Sequence, residues 1–146
     1  MRRFFPVFLS GWCGAALLLV RVVMGLAFIL HGWPKIQNPT TWMSAMGGEA
    51  VPSFLQALAA LAEFGGGIAL VLGLLTPLAA LGIVCQMTAA LLLVHFPRGD
   101  PFVASGGGPS YELPLIYLAL AILLIVFGPG RWSLDALLFG RARPAT

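Results

Sequence analysis

GAALLLVRVVMGLAFILHGW, residues 14–33, is a run of hydrocarbon side chains with a guanidinium, Arg21, set inside it. A bilayer core about 30 Å thick is crossed by roughly 20 helical residues rising about 1.5 Å each, and the stretch has that length. The rest of the chain is of the same kind. Of its 146 residues 60% are hydrophobic and 9% charged, too few polar groups to coat a water-soluble domain. Four segments qualify as spans, at about 12–32, 54–75, 78–96 and 111–128. The expected architecture is all-α: a four-transmembrane-helix bundle forming a single domain over 1–146. A short interfacial segment joins the first two spans, and a short interfacial helix follows the last.

The segments between spans carry the topology. Arg2, Arg3, Arg131, Arg141 and Arg143 flank the two ends, whereas the loops after the first and third spans hold only Lys35 and Arg98 beside Glu49, Asp100 and Glu112. Basic residues collect on the cytoplasmic side, so both termini are expected there, in a bacterial cytoplasmic (inner) membrane. The net charge of +3 then reports topology, and no nucleic-acid partner is implied. GLLTPLA, with Pro77 in the first turn of the next helix, predicts a tight hairpin between the second and third spans. Residues 34–52, with Trp33, Trp42, Met43 and Met46 among polar neighbours, suit the headgroup layer, and Ser133 is a candidate N-cap for the last short helix. Arg2 and Arg3 before an apolar run resemble a signal peptide, but no small-x-small cleavage site follows, so the segment is expected to be retained. Cys13 and Cys85 form no C-x-x-C pair and are expected to be buried apolar filler.

Depth explains the arginine. Arg21 lies nine residues beyond Trp12 on the first span and Glu63 nine residues beyond Phe54 on the oppositely directed second, each about 13 Å into the core. An isolated charge at that depth costs several kcal/mol by most estimates, roughly 3 or more, so an Arg21–Glu63 ion pair is the expected resolution. The stripes Arg21, Gly25, Phe28, Gly32 and Gln56, Ala59, Glu63, Gly67, Leu70 place small residues beside each charge, so these two faces are expected to touch. The pair reads as a staple fixing register or as a proton or anion site, with Gln86 a third polar member.

A second constellation gathers at the outer end. The first and third spans both run outward and finish at His31 and His95, where the fourth begins with Tyr111 and Glu112, and Lys35 lies close by. Such a rim can bind a quinone headgroup: His31, Tyr111 and Lys35 donate to ring carbonyls, while Glu112 and His95 handle the accompanying proton. The alternative is that His, Tyr and Trp simply favour the interface and Glu112 complements a helix N-terminus. Two histidines at one depth also raise a b-type haem, but they sit at the membrane edge. The GGG tracts at 65–67 and 106–108 lack the context of a phosphate loop, and no flavin, nicotinamide, iron–sulfur or metal motif is present. The mid-helix tract instead suits close helix packing. Any electron carrier is then a quinone or belongs to a partner.

RVVMGLAFILHGWPK, AEFGGGIALVLGLLTPLAAL, HF and YELPLIYLALAILLIVFGPGRWSLD, in that order, resemble the DoxX family of small bacterial integral membrane proteins over nearly the whole chain. The resemblance implies a four-helix bundle and an oxidoreductase assignment. Relatives are linked to thiosulfate oxidation onto quinone and to membrane complexes that resist oxidative and thiol stress. The implied function is a membrane subunit of a quinone-linked redox complex that works with soluble redox partners. The alternatives are a non-catalytic anchor for such enzymes and, third, a small-solute transporter, which one short bundle could form only as a homo-oligomer.

Overall fold

The structure, a computed structural model, describes residues 8–45 and 51–140. The expectations resting on Arg2, Arg3, Met46, Glu49, Arg141 and Arg143 lie outside the described residues. The helices are α1 (Gly11–Gln37), α2 (Trp42–Ala45), α3 (Ser53–Leu72), α4 (Thr76–Arg98), α5 (Glu112–Phe127) and α6 (Leu134–Phe139). Three of them, α1, α3 and α4, are long and apolar enough to cross a membrane, and α5 is a shorter apolar helix, so the fold is an all-helical membrane bundle. The short α2 and α6 occupy the two places expected for interfacial segments.

One boundary moves in a way that matters later. α1 was expected to end near residue 32 and runs on through Pro34 to Gln37. Proline removes one backbone donor and fixes φ near its helical value, a modest loss so close to a helix end. Trp33 and Lys35 therefore ride on α1 and not in the headgroup segment, which leaves Trp42 and Met43 on α2.

Each long helix lies against its predecessor in the chain: α3 on α1, α4 on α3 and α5 on α4, while α5 meets α1 along a thin seam. Hydrocarbon surrounds the bundle, so close van der Waals fit replaces hydrophobic burial as the force between helices. Glycine supplies that fit. A Cβ on Gly25 would stand 2.7 Å from the Gly67 carbonyl oxygen, and one on Gly67 would stand 2.8 Å from that of Gly25, so only two bare backbones can cross here. The expected stripes are the contact faces, with Arg21, Gly25, Phe28 and Gly32 buried on α1 and Gln56, Glu63, Gly67 and Leu70 on α3, where Ala60 is buried in place of the expected Ala59. Leu17, Met24, Phe28, Leu70, Ile83, Met87 and Leu124 fill the centre. Cys13 and Cys85 fall off these stripes and are exposed on the outer surface, which corrects their expected burial.

At one end of the bundle, the turn end, α3 stops at Gly73 in the left-handed conformation (φ 66°), with Leu74 N–H returning to the Ala69 carbonyl at 2.9 Å. Leu75 is left-handed as well, at φ 47°, an uncommon state for a branched side chain. It is held from outside. The buried Asp135 carboxylate accepts from Leu75 N–H through Oδ1 at 2.7 Å and from Thr76 N–H through Oδ2 at 2.9 Å, while Asp135 N–H donates to the Gly73 carbonyl at 2.8 Å. Ser133 fulfils its expected capping role, accepting from Ala136 N–H at 3.1 Å and donating to the Gly130 carbonyl at 2.7 Å. The segment after α5 therefore clasps the α3–α4 hairpin.

Removing the clasp strands two backbone donors in an apolar setting, each worth about 1–3 kcal/mol. Asp135→Ala should lower stability in detergent by about 3 kcal/mol, and Asp135→Asn, which keeps one acceptor oxygen, by clearly less; thermal unfolding of the purified variants measures both. Equal loss in the two would mean that the carboxylate charge, and not the capping of Leu75 and Thr76, holds the turn.

Candidate functional site

Arg21 and Glu63 do not meet. Helix side chains lean toward their own N-terminus, and α1 and α3 run in opposite directions, so two residues that start near one depth send their charged ends apart. Register adds to the divergence. A Cβ on Gly32 would meet Phe64 and Glu63, which sets Glu63 level with Gly32 and well along α1 from Arg21. The guanidinium turns to the turn end, where Nη2 donates to the Trp132 carbonyl, under the electrostatic pull of the buried Asp135 carboxylate. A side chain at Gly73 would collide with it and with Ser133. The expected Arg21–Glu63 staple is therefore not formed, and Arg21 is tied to the C-terminal clasp.

Glu63 turns the opposite way and finds Lys35. The Lys35 Nζ stands 2.5 Å from Glu63 Oε1, the two side chains being 15% and 5% exposed, and Gln86 on α4 donates its amide N–H to the same carboxylate oxygen. Lys35 also lies 4.4 Å from the centre of the Trp42 ring, in cation–π contact. Trp42 in turn donates Nε1–H to the Gln56 carbonyl at 3.0 Å. The buried Gln56 side chain ties down the incoming chain, accepting from Met43 N–H at 3.1 Å and donating to the Val51 carbonyl at 2.7 Å. A lysine, a carboxylate and two amides from α1, α3 and α4 thus form one connected polar cluster under α2. Glu63 Oε2 and Gln86 Oε1 are buried in it with no hydrogen-bond partner among the described residues.

The rim residues divide. His95 sits in a π-helical turn, Leu91–His95, two residues before Pro97, and its Nδ1 donates to Asp100 Oδ2 at 2.8 Å. Asp100 N–H returns to the His95 carbonyl at 3.1 Å, so the pair closes a small ring around Gly99. The neighbouring Tyr111 ring lies between Phe96 and Phe102, each 5.5 Å away centre to centre, and Glu112 opens α5 beside it. His31 stands apart, exposed on α1 with Nδ1 donating to the Ala27 carbonyl at 2.8 Å. Lys35 belongs to the buried cluster. Of the expected rim, the structure joins His95 to Tyr111 and Glu112 through the 96–102 loop, and it leaves out His31 and Lys35.

Several partners escaped the reading of the sequence. Lys35 continues the Arg21, Gly25, Phe28, Gly32 spacing on α1, and that periodicity would have placed it opposite α3. Asp100, five residues after His95 across a Pro–Arg–Gly turn, carries a weaker signal. Asp135 lies in the quoted GPGRWSLD stretch, but nothing local says that its carboxylate caps a helix about sixty residues earlier.

A family model described as DoxX matches residues 16–96. The inner membrane protein YqjF of Escherichia coli K12 is 34% identical over 83% of this chain and 90% of its own length. An uncharacterized protein of Haemophilus influenzae is 33% identical over 92% of this chain and 93% of its own length. The protein named "Putative oxidoreductase CatD" of Bacillus subtilis is 27% identical over 84% and 86%. No solved structure matches the chain at a significant level.

The two separate charge sites give a direct test. In a double-mutant cycle Lys35→Met and Glu63→Gln should couple by about 1–3 kcal/mol, because each single change leaves a buried partner unmatched. Arg21→Met combined with Glu63→Gln should be additive within about 0.5 kcal/mol. Unfolding of the six proteins in one detergent measures both cycles, and strong Arg21–Glu63 coupling would contradict the pairing described.

Proposed function

This chain belongs to the DoxX family, and from that premise we propose that it is the membrane subunit of a quinone-linked redox complex in a bacterial inner membrane, with both termini cytoplasmic. The observation that carries the reading is the Lys35–Glu63–Gln86 cluster. Ionisable groups inside a membrane bundle are expensive and are found where they bind or move something, whereas a simple anchor needs only helix faces that fit. A quinone headgroup is the membrane-soluble partner whose size and polarity suit an ammonium and an amide donor, and no recognised redox cofactor motif competes for the role. The names of two relatives, an inner membrane protein and a proposed oxidoreductase, agree with this reading.

The residues then take separable tasks. Lys35 donates to a ring carbonyl, and Tyr111, on the neighbouring rim, stands by as a further donor. His95 and Glu112 pass the proton between the site and water. His95 is oriented for this by Asp100, since an Nδ1–H engaged with the carboxylate leaves Nε2 to face the proton's path. Electrons come from a soluble redox partner, of the kind that handles reduced sulfur or oxidative stress, docked on the membrane face.

Quinone bound to the protein purified in mild detergent, quantified by organic extraction, tests the reading; a stoichiometric amount is expected from wild type and at least tenfold less from Lys35→Met. Glu112→Gln should retain the quinone while slowing its proton-coupled reduction to quinol by the soluble electron donor. Protein that carries none and binds no quinone analogue is the anchor instead. Orientation is checked separately: in a background without Cys13 and Cys85, an impermeant thiol reagent added to intact cells should label Ser105→Cys and spare Ala145→Cys.

A further inference from the structure

The buried cluster is charge-balanced but not hydrogen-bond-balanced. Lys35 and Glu63 neutralise one another at 2.5 Å, and Gln86 adds a donor to the oxygen that Lys35 already occupies. Two acceptors remain, Glu63 Oε2 and Gln86 Oε1, both shut away from solvent and without a partner among the described residues. An unmet acceptor in an apolar interior carries its full desolvation cost, so the arrangement is complete only with a donor brought from outside. That donor must be uncharged. A cation would add a net positive charge to a pair already neutral, in a medium where unpaired charge is most costly. What fits is an O–H or N–H group on a neutral molecule.

The surface beside the cluster says what kind of molecule. Between α3 and α4 runs a groove of about 360 Å³ lined wholly by apolar or small residues, among them Leu58, Ala62, Gly65, Ala69, Ala79 and Gly82. Ala62 adjoins Glu63 in the chain, and Gln86 stands one helical turn beyond Gly82, so the groove runs along the α3–α4 seam beside the residues that carry the two buried acceptors, neither of which lines it, and continues to the turn end. The glycines on its walls leave room that side chains would take. It has the form of a seat for an apolar tail.

We propose that Glu63 and Gln86 select the reduced, hydroxyl-bearing form of a tailed quinone: a hydroquinone whose tail lies in the α3–α4 groove and whose hydroxyl donates to Glu63 Oε2 or Gln86 Oε1. This rests on the quinone-linked reading above and adds to it a redox-state preference. The oxidised form offers only carbonyl acceptors, which leave both orphan oxygens unmet. The site thus holds the reduced state more tightly.

Full-length protein in detergent, titrated under anaerobic conditions with a decyl-tailed benzohydroquinone and separately with its quinone, tests this through quenching of tryptophan fluorescence, Trp42 lying against Lys35. The hydroquinone is expected to bind at least tenfold more tightly. Gln86→Leu should bring the ratio below threefold. Gly82→Leu, which fills the groove without touching the acceptors, should weaken both forms and preserve the ratio, so a folded variant reports whichever way Gln86→Leu behaves. Equal affinity for the two forms overturns the selectivity while leaving a quinone site in place. A preference that survives both Gln86→Leu and Glu63→Ala overturns the assignment to these residues, and binding of neither form overturns this inference together with the quinone-linked reading.

Discussion

The N–H groups of Leu75 and Thr76 open a helix in surroundings where water is scarce, and the Asp135 carboxylate is what they find. Much of the turn end follows from that one capping interaction. To reach the hairpin, the chain after α5 must double back through Gly128, Pro129 and Gly130, all buried, and this path lays the Trp132 carbonyl against Arg21. Arg21 thus meets the chain after α5, while register sets Glu63 toward the other end, where it binds Lys35.

The two polar centres differ in what they leave open. Around Asp135 both carboxylate oxygens cap backbone N–H groups and glycine at position 73 admits nothing larger, while Arg21 Nε and Nη1 and Thr76 Oγ1 have no hydrogen-bond partner among the described residues. The capping fixes the geometry of the turn. Around Glu63 the donors crowd one oxygen and leave the other bare, and the neighbouring α3–α4 surface is hollow where Gly65, Gly66 and Gly82 lack side chains. An open network beside a hollow surface is the arrangement that serves binding.

Faces and spans were legible in the sequence because hydrocarbon imposes them. Helix length follows from bilayer thickness, and the small-residue stripes on α1 and α3 announce the Gly25–Gly67 crossing. That Arg21 and Glu63 stay apart was not legible, because depth alone ignores the lean of side chains, and that lean separates charges on antiparallel helices. The end of α1 was misplaced because the span was bounded by its apolar run, whereas the helix continues through Pro34 to Gln37, and with it went the place of Lys35. His95 was placed correctly at the loop end, but its partner Asp100 depends on a π-helical turn that shifts the ring, and no residue count yields that turn.

The order in which the helices meet has a bearing on how the protein is made. Each long helix lies on the one synthesised just before it, so a bundle emerging from the ribosome can assemble one neighbour at a time. Arg21 is the exception, since its carbonyl partner is 111 residues downstream. Until Trp132 has been translated, the nascent chain carries an unmatched guanidinium in its first inserted helix. Commitment to the native state is therefore deferred until the segment after α5 has been made, and a chain cut short before it leaves the guanidinium of its first helix without that carbonyl.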